Sequence, residues 1–376
     1  MAVLAYLNNA AEGWPRAPGV IEALAEAMAA APESVGRSWQ QDGDIVEQAR
    51  RAVAEWLGVS DPHRIVFTGS ATLALNLAIR GLPRERLRHI VTTVTEHNSV
   101  LRPVFAVSRQ SGARVSIVGL NEAGGLDEAS YRRASEQAPT LVALNHVSNV
   151  TGQINPVERW LEMARRAGAW TLLDASQSVG YLTLEPEAWQ VDLMVFGGQK
   201  GLHGPPGLGI LYVRPGVELT PLYSGGTGVR SDLLEQPEEM PTRLEAGTAN
   251  APALAGLVAA LRWHSRNQEG FRARAAEMAR RLEDGLKNIP AVRCFAPGTP
   301  RLGVISFRVE RWEPAETTWV LQHSFGVASR AGLHCAPLMH QALGSFPEGT
   351  VRFSVSGFTQ PDEIDRALEA VGRMAA

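Results

Sequence analysis

The sequence predicts an α/β fold: a large domain built on a mostly parallel sheet flanked by helices, and a smaller α+β domain formed mainly by the C-terminal part. Two observations lead there. From residue 64 to 213, short apolar runs alternate with helix-length segments, the pattern of βαβ units. A long helical stretch then separates this series from a second, shorter set of strands that ends in a helix.

Taken in order, residues 17–31 read as a helix with Pro18 near its start. Residues 43–58 follow, with Ile45, Val46, Ala49, Val53 and Leu57 at helical spacing. A short apolar strand over 64–68 leads through Gly69-Ser70-Ala71-Thr72 into a helix over 73–80. Strands are expected at 89–94, 114–119, 141–145, 170–174, 193–196 and 209–213, with helices at 99–108 and 157–167. Residues 251–288 form one long helix rich in Arg and Glu, which bridges two domains. Strands at 304–309 and 350–355 and a helix over 361–376 complete the chain. The domains are therefore expected to be 16–260, and 1–15 together with 261–376.

Composition excludes several classes of function. The net charge of −3 over 376 residues provides no basic footprint for nucleic acid or an anionic membrane. Two cysteines, Cys294 and Cys335, make neither a disulfide framework nor a multi-Cys zinc site. The histidines lack metal-ligand spacing, so no metal is expected. No apolar run is long enough to span a bilayer, and the N-terminus lacks a signal-peptide pattern, so a cytoplasmic protein is expected.

Three segments carry chemistry. Ser70, Ala71 and Thr72 open a helix after a strand, where free amides and the helix dipole suit a phosphate; the same residues also make an ordinary N-cap. Asp174 ends an apolar strand, at the sheet edge where α/β proteins bind ligands, although a capping Asp would look alike. Lys200 leaves the apolar run Leu193-Met194-Val195-Phe196 among several glycines and prolines, which argues against a merely solvated loop lysine. An anion cup, an Asp and a Lys on successive strand ends are what pyridoxal 5'-phosphate requires: a phosphate anchor, a partner for the ring nitrogen, and an amine for the Schiff base.

With these residues in view, the chain resembles the class V aminotransferase superfamily, and within it the cysteine desulfurase and selenocysteine lyase group. The resemblance runs through Tyr6-Leu7-Asn8-Asn9-Ala10-Ala11, Thr95-Glu96-His97-Asn98-Ser99, Val147-Ser148-Asn149-Val150-Thr151-Gly152 and Asp174-Ala175-Ser176-Gln177. It continues through Lys200, Arg243-Leu244-Glu245-Ala246-Gly247-Thr248, Arg330-Ala331-Gly332-Leu333-His334-Cys335-Ala336 and Val351-Arg352-Phe353-Ser354. It implies the fold type I architecture of pyridoxal-phosphate enzymes. It also implies that His97 stacks on the pyridine ring and Asp174 binds its nitrogen. Gln177 would bond the phenolic oxygen, with Asn149 beside that oxygen and the substrate carboxylate. Arg352, with Arg330, would serve the substrate, since a planar guanidinium grips a carboxylate with two bonds. Thr248 would reach the neighbouring subunit's phosphate, implying a homodimer with shared active sites.

Two positions depart from the family pattern. Asn8 stands where Asp is usual, removing a carboxylate, and Gln199 stands where His is usual, next to the Schiff-base lysine. A glutamine still donates a hydrogen bond but carries no charge.

The resemblance makes Cys335 the residue that separates a desulfurase from a plain aminotransferase. A free thiol is only slightly ionised at neutral pH and needs a cationic or polar neighbour, which Arg330 or His334 could provide. Cys294, in Val292-Arg293-Cys294-Phe295, reads as structural. The expected reaction takes L-cysteine to L-alanine, with Lys200 removing the α-proton and Cys335 receiving the sulfur as a persulfide. A sulfur acceptor, protein or small thiol, then empties it. The alternatives are a selenocysteine lyase, a carbon–sulfur lyase, or an aminotransferase or epimerase on the same scaffold. A non-catalytic scaffold has no need of Lys200, Asp174 and Arg352 together.

Overall fold

In the computed structural model, which describes residues 3–30, 44–295 and 300–376, apolar runs assemble into one large sheet. The expected helix limits at 31 and 43 lie outside the described residues. The sheet contains β2 (Ile65–Thr68), β3 (His89–Thr93), β4 (Arg114–Val118), β5 (Leu141–Asn145), β6 (Trp170–Asp174), β7 (Leu193–Gly197) and β8 (Gly209–Val213). Its order is β2-β8-β7-β6-β5-β3-β4, with β8 alone antiparallel to both neighbours. The reversal follows from spacing: the connection between β7 and β8 is too short to hold a crossover helix.

Burial on both faces explains the continuous apolar sequence of these strands. Along β5, Val142 and Leu144 face one core while Leu141 and Ala143 face the other. In β7, Met194 and Phe196 alternate with Leu193 and Val195 in the same way, as period-two pleating demands. On the first face lie α2 (Ile45–Leu57) and α6 (Val157–Arg166), the latter packing Trp160, Leu161 and Ala164 inward. On the other lie α3 (Ala71–Arg80) and α4 (Asn98–Ser111). Each fully buried Leu, Ile or Val on these faces contributes about 1.5–3 kcal/mol relative to exposure.

Two further helices of this region are α1 (Val20–Ala29) and α5 (Glu128–Ser135). The last of the long elements here is α7 (Ala251–Lys287), about 55 Å long at ~1.5 Å per residue. Its first third packs Leu254, Leu257 and Leu261 on the large core. Its last third packs Met278, Leu282 and Leu286 on another core. That second core lies under an antiparallel sheet of order β12-β13-β10-β9, made of β9 (Val292–Phe295), β10 (Val304–Val309), β12 (Arg330–Gly332) and β13 (Thr350–Ser354). The helices α8 (Pro314–Phe325) and α10 (Pro361–Ala375) cover it, and α9 (Pro337–Ala342) follows the loop bearing Cys335. The N-terminal β1 (Ala5–Tyr6) pairs in parallel with β11 (Val327–Ala328), and Asn8 bridges to Ser354. Cys294 sits half-buried in β9, where burial raises its thiol pKa, in keeping with an unreactive side chain.

The strand order creates a switch point, because the chain runs from β3 outward to β4 and then back to β5 on the other side. The carboxyl ends of β3, β5, β6 and β7 converge beside it, which is where open α/β sheets hold ligands. Gly209 fixes the turn after β2: a Cβ there would lie 2.2 Å from the Ser70 backbone.

His146, His203 and His264 are three of the six histidines buried among the described residues. Burial pushes each down to about 4 from the ordinary 6.5. The unfolded chain therefore takes up these protons before the folded one does. Stability is held above about pH 6.5 and declines as pH falls toward about 4. Thermal midpoints measured across that interval are expected to drop, and a His203→Asn, His264→Asn double variant is expected to flatten the slope.

Candidate active site

A cavity of about 190 Å³ opens at the switch point. Ser70, Ala71, Thr72, His97, Asn149, Asp174, Gln177, Gln199, Lys200, Arg330 and Arg352 all line it. Local sequence explains each placement. Ser70 caps α3, its Oγ accepting from the Leu73 amide at 3.2 Å. The capping alternative thus holds for that hydroxyl. The first-turn amides of Ala71 and Thr72 still have no carbonyl to meet within the helix. Thr72 Oγ1 lies 2.9 Å from Ser99 Oγ.

His97 caps α4 through Nδ1, which accepts from the Ser99 amide at 3.0 Å. The neutral ring therefore carries its proton on Nε2. Burial, followed by the Lys200 charge, lowers its pKa to about 4, so the ring is uncharged at neutral pH.

Asp174 ends β6 and is buried; its Oδ1 accepts from the Ser176 amide at 2.9 Å. Lys200 follows β7, and desolvation pushes its pKa down, aided by Arg352 and Arg330 and opposed by Asp174 and Cys335. Arg352, on β13, is 1% exposed and donates to the Asn149 carbonyl at 2.9 Å. Its Nη2 reaches Asn8 Oδ1 at 3.4 Å, and it has no carboxylate partner among the described residues. Burial and then Arg330 lower its pKa to about 9, a guanidinium under pressure to take an anion.

Cys335 is not among the residues that line this cavity. It lines an adjoining cleft of about 850 Å³ that shares Thr72, His97 and Ser99 with the cavity. Arg330 Nη2 donates to its Sγ at 3.5 Å. His334 and Cys335 both take left-handed backbone angles, with φ of +48° and +60°, a strained pair for residues other than glycine. Hydrogen bonds hold the strain: Asn149 Nδ2 donates to the His334 carbonyl at 2.6 Å, and the Asn98 amide donates to the Cys335 carbonyl at 2.6 Å. The thiol is thus presented on a fixed loop.

Some expectations are modified. Gln177 Nε2 donates to the Ala10 carbonyl at 2.9 Å, so only its second N–H remains for a cofactor oxygen. One Asn149 N–H is given to the His334 carbonyl, which leaves its second N–H for a cofactor oxygen and its Oδ1 buried without a protein partner. Thr248 does not join the cavity; it lines a separate groove with Tyr223 and Leu244. Ser99, Asn145, Ser176, Ala10 and Ala11 line the cavity although sequence reasoning assigned them no role there. A polar Asn closing the apolar run of β5 was the available signal for Asn145.

Among the described residues, no group of three or more His, Cys, Asp or Glu could hold a metal, and no helix is long and apolar enough to cross a membrane.

A probable cysteine desulfurase of Mycolicibacterium paratuberculosis is 34% identical over 88% of this chain, which spans about half (49%) of that protein. A probable cysteine desulfurase of Methanothermobacter thermautotrophicus is 30% identical, covering 88% of this chain and 84% of its own. The apo structure of a cysteine desulfurase from Thermococcus onnurineus superposes with a TM-score of 0.91 at 29% identity, over 99% of this chain and 94% of that one. The aminotransferase class-V model matches residues 5–367, so the chain belongs to the class V aminotransferase family.

Proposed function

We propose that the chain is a pyridoxal-phosphate-dependent cysteine desulfurase. One observation carries this assignment: Cys335, with Arg330 on its sulfur, lines the cleft that adjoins the cavity holding Lys200, Asp174 and Arg352. An aminotransferase has no use for a thiol on a fixed loop there.

The cavity residues fit the cofactor. Buried polar atoms without a protein partner (Asn149 Oδ1, Gln199 Oε1 and Arg352 Nε) belong to its lining, as expected where a polar group is to be accommodated. Ser70, Ala71 and Thr72 would hold the phosphate, with Gln199 nearby. Asp174 would hold the ring nitrogen, His97 the ring face, Gln177 and Asn149 the ring oxygen, and Lys200 the aldehyde. When bound, pyridoxal phosphate supplies an aldehyde for the amino group and an electron-withdrawing ring.

The chain's own groups perform the rest. Arg352 and Arg330 take the substrate carboxylate, relieving their mutual repulsion. Lys200, with its pKa lowered by burial, spends more time as a free amine and can accept the α-proton. The Cys335 thiolate, bonded by Arg330, attacks the substrate sulfur. A sulfur–sulfur bond forms as the carbon–sulfur bond breaks, and its electron pair stays with carbon, which is protonated. Cysteine plus the Cys335 thiol thus become alanine plus the Cys335 persulfide, and a thiol acceptor then takes the outer sulfur. Residues 16–260 would supply the cofactor site, and 1–15 with 261–376 the two arginines and the thiol.

A homodimer completes the proposal. Thr248 lines a groove separate from its own cavity, and Tyr223, Val229, Leu233 and Leu234 leave apolar surface exposed in the segment before it. A second copy would cover that segment and receive Thr248 at its phosphate. Leu234→Asp is expected to give monomers in sedimentation. Thr248→Ala is expected to weaken cofactor binding about 10-fold or more, the worth of one hydrogen bond to a charged group.

Incubation with L-cysteine and a thiol reductant tests the function. Alanine and sulfide are expected in equal amounts. Pyruvate and ammonia in place of alanine, with sulfide still released, would identify a carbon–sulfur lyase by elimination instead.

A further inference from the structure

Directly before His97 lies a carboxyl group that none of the steps above uses. Glu96 is fully buried. Its Oε1 accepts from Thr93 Oγ1 at 2.8 Å and from the Asn145 amide at 2.9 Å. Its Oε2 is buried with no protein partner. Glu96 therefore ties the end of β3 to the end of β5, two strands on either side of the switch point.

Each end of this tie leads to a cofactor group. On one side the next residue is His97. On the other, Asn145 is the register partner of Asp174, and the amide of His146 donates to the Asp174 carbonyl at 2.9 Å. A buried polar cluster reinforces the link. Thr95 Oγ1 donates to Asn145 Oδ1 at 2.6 Å, and Asn155 Nδ2 donates to the same oxygen at 2.8 Å.

We propose, resting on the cofactor assignment above, that Glu96 is a positioning residue held as the neutral acid, fixing His97 and Asp174 relative to one another. Neutrality matters because the negative charge of Asp174 acts on Glu96. A second buried anion beside it would compete for the positive charge that Asp174 must hold on the ring. Burial raises the Glu96 pKa to about 8, with Asp174 adding to the rise, so the acid is largely protonated at neutral pH.

The sign of the pH effect follows. A folded pKa above the unfolded value favours folding at low pH. This stabilising contribution declines as pH rises from the ordinary glutamate range and is exhausted above about 8.

The test compares Glu96→Gln, which keeps shape and neutrality, with Glu96→Ala, which removes the tie. In cofactor-free protein, the thermal midpoint of the wild type minus that of Glu96→Gln is expected to fall as pH rises over that interval, the histidine contribution being common to both. In loaded protein, Glu96→Gln is expected to stay within threefold of wild-type kcat. Glu96→Ala is expected to lose about tenfold or more in kcat and in cofactor affinity, with a smaller change in KM for cysteine. Rescue by Gln and not by Ala supports the proposal. Equal damage from both, or parallel midpoints across pH, overturns it. If the wild type makes no alanine, the desulfurase assignment fails, while the midpoints and cofactor titrations still decide the role of Glu96.

Discussion

Replacing Lys200 with Ala is expected to lower alanine formation from cysteine by roughly 10²–10⁴-fold, the range for losing a positioned proton-transfer group. Two roles are lost together, capture of the cofactor aldehyde and removal of the α-proton. Lys200→Arg separates charge from nucleophilicity. It retains a cation beside Asp174, but a guanidinium does not deprotonate in proteins. It is therefore expected to be as inactive as the alanine variant. Both variants keep the Ser70–Thr72 turn and Asp174, so cofactor titration is expected to show retained, non-covalent binding. Activity measured with Arg at position 200 would mean that another amine does the work.

Cys335→Ala is expected to keep the cofactor's yellow absorbance and to lose alanine production by roughly 10²-fold or more. Substrate should still bind, because Arg352, Asn149 and Lys200 are untouched. Exchange of the α-proton with solvent deuterium should therefore continue, since Lys200 and not Cys335 accepts it. Retained exchange with no alanine separates the sulfur step from the proton step. Full turnover in this variant would remove Cys335 as the sulfur acceptor.

The parts of the fold that were legible from residues are those buried on two faces. The strands β5, β6 and β7 read as largely apolar runs and emerged at their expected places. Helices with a thin apolar stripe did not. The helix α5 turns only Tyr131, Ala134 and Ser135 inward, and α8 buries only Pro314, Thr317 and Leu321, too few to register as a period. The two-residue strands β1 and β11 depend on each other across more than 300 residues, which no local pattern conveys.

The candidate site divides the same way. Asp174 and Lys200 stand out because a charged residue follows an apolar strand in each case. The partners that set their chemistry do not stand out. The contact of Arg330 with Cys335 depends on two left-handed residues at 334 and 335, where a sequence shows only His and Cys. Glu96 looks like any surface carboxylate until the strand order buries it between β3 and β5. Burial of a titratable group arises from topology, and topology is where residue-by-residue reasoning stops.

Everything proposed for this chain depends on the amine at position 200 being the one that holds the cofactor. Borohydride reduction of the loaded protein, followed by peptide mass mapping, examines that link without requiring turnover. The expected result is a single pyridoxyl adduct on the peptide containing Lys200. An adduct on another peptide, or none in a protein that has taken up the cofactor, would contradict it.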